Sequence, residues 1–140
     1  MEIRRLSNED IPLMKETFEN STTTVEIEDL HNFINTANCS GFIVIIADIV
    51  VGFAVGYHLL RPNGKKMFLL HSFDVNPKYR DQQVEPDFLI FILDYAKETG
   101  CSEAFVITDK GNTQACRLYE KYGGRSDDQN EVVYVFDFTE

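Results

Sequence analysis

Two hydrophobic periods alternate along this chain of 140 residues, and the points where one gives way to the other mark its elements. Glu2–Leu6 reads as a short strand. Ser7-Asn8-Glu9-Asp10 then offers a capping side chain with acids in the first turn. Ile11, Met14 and Phe18 follow at helical spacing, with Pro12 early enough in the first turn to be tolerated. The polar run Asn20-Ser21-Thr22-Thr23-Thr24 ends this helix and caps a second one, striped by Ile27, Leu30, His31 and Ile34.

The period then changes to that of strands. Phe42–Ala47 and Val50–Leu60 are rich in β-branched and aromatic residues, joined near Asp48-Ile49 by a turn without a favourable hairpin pair. Pro62-Asn63-Gly64 is a far better turn and leads into a third strand, Lys66–Val75, completing an antiparallel meander. Phe88, Phe91, Ile92, Tyr95 and Ala96 restore helical spacing over Pro86–Thr99, and Gly100 caps the end. Ala104–Thr108 reads as a buried strand. Asn112 caps a last helix with Ala115, Leu118, Tyr119 and Tyr122 on one face, which Gly123-Gly124 ends. Glu131–Phe138 closes the chain as a strand. The sum is a mixed α/β sheet of six or seven strands flanked by about four helices.

Composition narrows what such a domain does. With 44% hydrophobic residues the chain can bury a full core, and the absence of repeats or linker-like stretches makes residues 1–140 a single domain. Its 23 acidic and 13 basic residues give a net charge of -10, which repels nucleic acid and favours a cationic partner. Cys39, Cys101 and Cys116 are odd in number and form no CxxC pair, so they read as reduced thiols. The N-terminus lacks an apolar leader and no apolar run reaches membrane-spanning length, which points to the cytoplasm and away from membranes. A symmetric turn at Asn63-Gly64 would make His58 and His71 diagonal neighbours roughly 7–8 Å apart. Two histidines without a third ligand do not make a zinc site, so no metal is expected. His31, within a helix stripe, reads as structural.

Two segments carry a more specific signal. Asn112-Thr113-Gln114-Ala115-Cys116-Arg117-Leu118-Tyr119-Glu120-Lys121-Tyr122-Gly123 resembles the asparagine, alanine, Leu-Tyr-x-Lys, glycine signature of the GNAT acetyltransferases. Phe73-Asp74-Val75-Asn76-Pro77-Lys78-Tyr79-Arg80 is similar to the family's Leu-x-Val-x-Pro-x-x-Arg at the end of the fourth strand. Gly52–Tyr57 looks like the usual third strand, so the resemblance covers nearly the whole chain and is strongest to the aminoglycoside 3-N-acetyltransferases. It implies the GNAT acyl-CoA N-acyltransferase fold, acetyl-CoA as cofactor and a small amine as acceptor. It also implies that Tyr119 is the general acid for the leaving thiolate, while Asn112, Phe73, Val75 and the loop Arg80-Asp81-Gln82-Gln83-Val84-Glu85 hold the cofactor. Read from periodicity alone, Tyr119 is a core tyrosine and Asn112 a helix cap; the surrounding motif is what favours the site reading of Tyr119.

The loop departs from the family pattern where phosphate chemistry is most demanding. The pattern Arg/Gln-x-x-Gly-x-Gly/Ala supplies glycines so that backbone N–H groups approach a pyrophosphate closely at a helix start. Arg80 and Gln82 match it, but the glycine positions carry Gln83 and Glu85. A carboxylate beside a pyrophosphate costs on the order of several kcal/mol at an effective dielectric of about 20. Pro86 removes a donor, and Glu85 or Asp87 would satisfy the helix start internally. The position of the family's strand-borne acid is Ser72, which is no base unaided. Asp74, on the same strand face, and His71, on the opposite face by strict alternation, are the substitutes through a water. Two functions therefore follow from the sequence: an acetyltransferase, or a GNAT fold kept for binding without catalysis. A homodimer is a third arrangement that one chain's sequence leaves open.

Overall fold

The structure is a computed structural model that describes residues 1–19, 25–126 and 131–139. Among these, five strands form one sheet in the order β1-β2-β3-β4-β5. β1 (Glu2–Arg5), β2 (Cys39–Ile46), β3 (Ile49–Leu60) and β4 (Lys66–Val75) are antiparallel neighbours, and β5 (Cys101–Val106) lies parallel to β4. α1 (Ile11–Glu19), α2 (Ile27–Ile34), α3 (Val84–Glu98) and α4 (Thr113–Lys121) complete the element order expected from the periodicity.

Alternation along β2 divides the core between the two sheet faces. Phe42 and Val44 pack with Phe68, Leu70, Phe88 and Ile92, which places α3 on that face. Ile43, between them, joins Leu6, Met14 and Leu30, which places α1 and α2 on the other. Burying each such side chain stabilises by about 1.5–3 kcal/mol, so the two clusters fix the layers. The N-terminal entry is set by Asp10, almost fully buried, whose carboxylate takes the Ser7 backbone N–H at 2.9 Å and pairs with Arg4. None of the described helices is long and apolar enough to cross a membrane.

Three details differ from the sequence expectation. Glu131–Phe138 joins no ladder, so the described sheet has five strands where six or seven were expected. β5 begins at Cys101 rather than Ala104 and is largely exposed rather than buried, because it is the outermost described strand. The β2–β3 turn falls on Ala47-Asp48, both with positive φ (51° and 63°). That left-handed pair matches the twist of the flanking strands, although alanine is an unusual residue to hold it.

A bulge in β4 matters most for the site. Val55 pairs with Ser72 and Gly56 with Leu70, so His71 is the extra residue that no β3 residue opposes. Phe68 and Leu70 face α3 before the bulge, and Phe73 and Val75 after it. Gly56 is needed here, because a Cβ on it would lie 2.1 Å from the Phe68 ring. The same register places His58 opposite Phe68, so His58 and His71 are not the diagonal neighbours a symmetric turn implied. His58 packs on Phe68 and Tyr95, whereas His71 meets Tyr57, which in turn touches Phe33 of α2.

Candidate active site

The β4–β5 ladder ends at Leu70–Val106, so from His71 onward β4 has no strand beside it on that edge among the described residues. Its backbone groups there face a wedge between the two strands. α4 closes one side of the wedge, and the start of α3 closes its mouth. The result is a cavity of about 290 Å³ lined by His71, Phe73, Asp74, Val75, Arg80, Glu85, Asn112 and Tyr119, with Val106–Thr108 of the β5 end forming its far wall.

Most of the site residues expected from sequence meet in this cavity. Tyr119 is half-buried against Phe73, at 6.4 Å between ring centroids, and Phe73 stacks on Phe88 of α3 at 5.2 Å. Burial raises the Tyr119 phenol above its ordinary 10.0, with the charges of Glu85 and Asp74 and the Cys116 thiol adding to the effect. The phenol therefore keeps its proton at neutral pH. Asn112 caps α4 by accepting from the Ala115 backbone N–H at 3.1 Å, as its position predicts, and it also lines the cavity.

Others of the expected residues lie elsewhere. Ser72 does not line the cavity; it sits opposite Val55 within the β3–β4 ladder. Val84, the first residue of α3, is fully buried in the core. Gln82 and Gln83 are exposed, and Asp81 belongs to the 3-10 stretch Pro77–Gln82 that leads into α3. His71 moves the other way. Strict alternation sets it on the face opposite Asp74, but the bulge at its own position breaks the alternation and both residues line one cavity.

The loop between β4 and α3 has a definite geometry. Gln83 has φ 64° and ψ 14°, so it adopts the left-handed conformation that glycine takes without strain. Its side chain is exposed. Glu85 lies in the first turn of α3 with its side chain only 16% exposed. Gln114 Nε2 donates to its Oε1 at 3.0 Å, and Arg80 Nε lies 3.6 Å from the same oxygen. The cation best placed for an incoming anion is thus paired with a residue of its own chain, at a helix start already carrying Glu85 and Asp87.

Three participants escaped the sequence reading. Gln114 lies within the α4 motif but was not singled out, because nothing local reveals that it reaches Glu85. Arg117 and Lys121 follow it at helical spacing and, with Arg80 and Glu85, line a shallower cavity of about 220 Å³ beside the first. The spacing Gln114, Arg117, Lys121 is itself a one-face pattern that marks them as neighbours.

Comparison with known proteins agrees with this architecture. The model of the acetyltransferase (GNAT) family matches residues 3–124. No curated protein matches the chain. Among solved structures, an aminoglycoside acetyltransferase from an uncultured soil metagenomic sample, in complex with sisomicin, superposes with a TM-score of 0.81 at 20% identity, covering 99% of this chain and 96% of that one. A probable acetyltransferase gives 0.80 at 22% identity, with 100% and 99% covered. Aminoglycoside N-acetyltransferase AAC(6')-Iy in complex with CoA gives 0.77 at 16% identity, with 97% and 98% covered.

Proposed function

The chain belongs to the acetyltransferase (GNAT) family, and on that footing we propose that it transfers an acetyl group from acetyl-CoA to a small, positively charged amine. The observation that carries this reading is the meeting of Tyr119, Asp74, His71 and Arg80 in one cavity where β4 and β5 part.

Acetyl-CoA supplies an activated thioester. The open edge of β4 from His71 to Val75 offers backbone groups to an extended ligand arm, as a sheet edge does to an added strand. A backbone N–H near Val75 is placed to polarise the acetyl carbonyl. His71 or Asp74, acting through a water, takes the proton from the attacking amine. As the new C–N bond forms and the C–S bond breaks, Tyr119 gives its phenolic proton to the departing sulfur. A thiol's ordinary pKa of about 8.5 lies below that of the phenol, so complete transfer is uphill, and the phenol acts by hydrogen-bonding the sulfur as negative charge develops on it, with water returning its proton.

The residues fit the two ends of the cofactor unequally. At the thioester end, the open strand edge and Tyr119 suit it. At the phosphate end, Arg80, Arg117 and Lys121 offer positive charge, while Glu85 and Pro86 oppose it. The acceptor class follows from the cavity's Asp74 and Glu85 together with the chain's charge of -10. An aminoglycoside-like polyamine acetylated at its 3-amine is the acceptor that the sequence resemblance favours, and the sisomicin-bound neighbour supports the class. The test is thiol release from acetyl-CoA in the presence of sisomicin or simple diamines. Release that depends on the amine supports transfer. None with any cationic amine contradicts it.

One observation favours a second reading, a GNAT fold retained for binding without transfer. Glu85 is held by both Gln114 and Arg80, so the phosphate end is closed by the protein itself.

A further inference from the structure

Arg80 and Glu85 stand on the boundary between two spaces. With Gln114 and Leu118 they line both the cavity of about 290 Å³ where β4 and β5 part and the shallower one of about 220 Å³ beside it. What an acyl thioester needs lies on the inner side of that boundary: the open edge of β4 from His71 to Val75, Asp74 and Tyr119. At about 3.3 Å per residue this edge runs for about 13 Å, long enough to pair with an arm that carries two amides. The boundary itself repels phosphate. Glu85 Oε1 accepts from Gln114 Nε2 at 3.0 Å and lies 3.6 Å from Arg80 Nε, so the carboxylate is fixed in place and the nearest cation is drawn to it. Asp87 adds a second acid to the same helix turn, and Pro86 between them has no N–H to give. Beyond the boundary Arg117 and Lys121 are exposed, where water weakens their pull on an anion.

We infer that the site recognises its donor by the pantetheine arm alone, so that acyl thioesters of this arm without a nucleotide are donors at least as good as acetyl-CoA. The inference rests on the transfer proposed above and names its donor class. The bonds that change all lie at the inner end: the acetyl group passes from sulfur to nitrogen, the amine's proton leaves through water, and the arm departs as a thiol. A nucleotide at the other end of the arm has to pass Glu85 to reach Arg117 and Lys121. There its phosphates meet two carboxylates and two exposed cations together, and they add no affinity.

Binding measured without transfer separates this inference from the reading it rests on. Amide shifts of the 15N-labelled full chain are followed during titration with pantetheine, 4'-phosphopantetheine and CoA, which carry none, one and three phosphates on the same arm. CoA should bind the wild type no more tightly than pantetheine, with shifts along the β4 edge in all three titrations. Glu85→Gln should tighten CoA at least tenfold relative to pantetheine. S-acetylpantetheine should then release thiol to a cationic amine at least as fast as acetyl-CoA at equal concentration. CoA bound to the wild type tenfold or more tightly than pantetheine, or a ratio unmoved by Glu85→Gln, would overturn the inference and leave transfer standing. Equal binding of the three ligands with no acetyl transfer from either thioester would uphold it and overturn transfer. No shift with any of the three at millimolar concentration would overturn both.

Discussion

Gln114, in the first turn of α4, donates to Glu85, in the first turn of α3, at 3.0 Å across 29 residues of sequence. The contact ties together the two helix starts that border the cavity and fixes a carboxylate at its mouth. Arg80, 3.6 Å from the same carboxylate, is drawn into the pair. Glu85 therefore serves the fold and opposes an incoming phosphate with one set of atoms.

Gln83→Gly separates the backbone consequence from the charge. Gln83 holds a left-handed conformation that costs a residue with a Cβ roughly 1–2 kcal/mol, and its side chain is exposed. Glycine removes that cost but adds unfolded-state entropy, so the net expectation is a gain of about 0.5–1 kcal/mol. Denaturant unfolding reads it. Destabilisation would mean that the Gln83 side chain makes contacts worth more than the strain.

Tyr119→Phe isolates the proposed acid. The ring that packs on Phe73 is kept, so stability should change little while kcat falls on the order of 10²–10⁴-fold, with KM for acetyl-CoA nearly constant. Because the wild-type phenol titrates above its ordinary 10.0, its acid form persists through neutral and mildly alkaline pH, and the alkaline fall in kcat that it governs should have its midpoint above 10.0. A variant with wild-type kcat would leave Tyr119 a packing residue only.

His58 gives a pH signature unconnected to the cavity. Burial lowers its pKa below 6.5, with Lys66 and Arg5 adding to the shift. Thr99 gives its hydroxyl proton to the Tyr95 carbonyl at 2.8 Å, so its oxygen accepts from His58 Nε2 at 2.8 Å. The folded state disfavours the charged imidazole. Its contribution is present above 6.5 and is lost as pH falls through the lower folded value, where the unfolded chain is already protonated. Stability should drop as pH falls below 6.5, and less steeply in His58→Gln. An equal drop in the variant would assign it to other groups.

The elements were legible in the sequence wherever one period ran unbroken, as in the α3 stripe Phe88, Ile92 and Ala96, all of which are buried. The β4 bulge was not, because neither glycine nor proline marks His71 and the change of phase shows only when β3 is laid beside it. Tyr119 and Asn112 stood out through the family resemblance of the α4 motif, where periodicity alone gave a core tyrosine and a helix cap, and both line the cavity. The grip of Gln114 on Glu85 was invisible, since a contact between two helix starts leaves no periodic trace. The closing segment carries strand composition, but composition alone supplies no neighbouring strand, and residues 131–139 join no ladder.

The central claim is that the loop's own acid, rather than the fold, limits cofactor binding. Calorimetric titration of CoA into the wild type and into the double variant Gln83→Gly with Glu85→Gly tests it most directly. The double variant frees Arg80 and restores the close backbone approach, so it should bind at least tenfold more tightly, about 1.4 kcal/mol, and show the larger thermal stabilisation by CoA. Equal affinity in the two proteins, or tighter binding by the wild type, would contradict the claim.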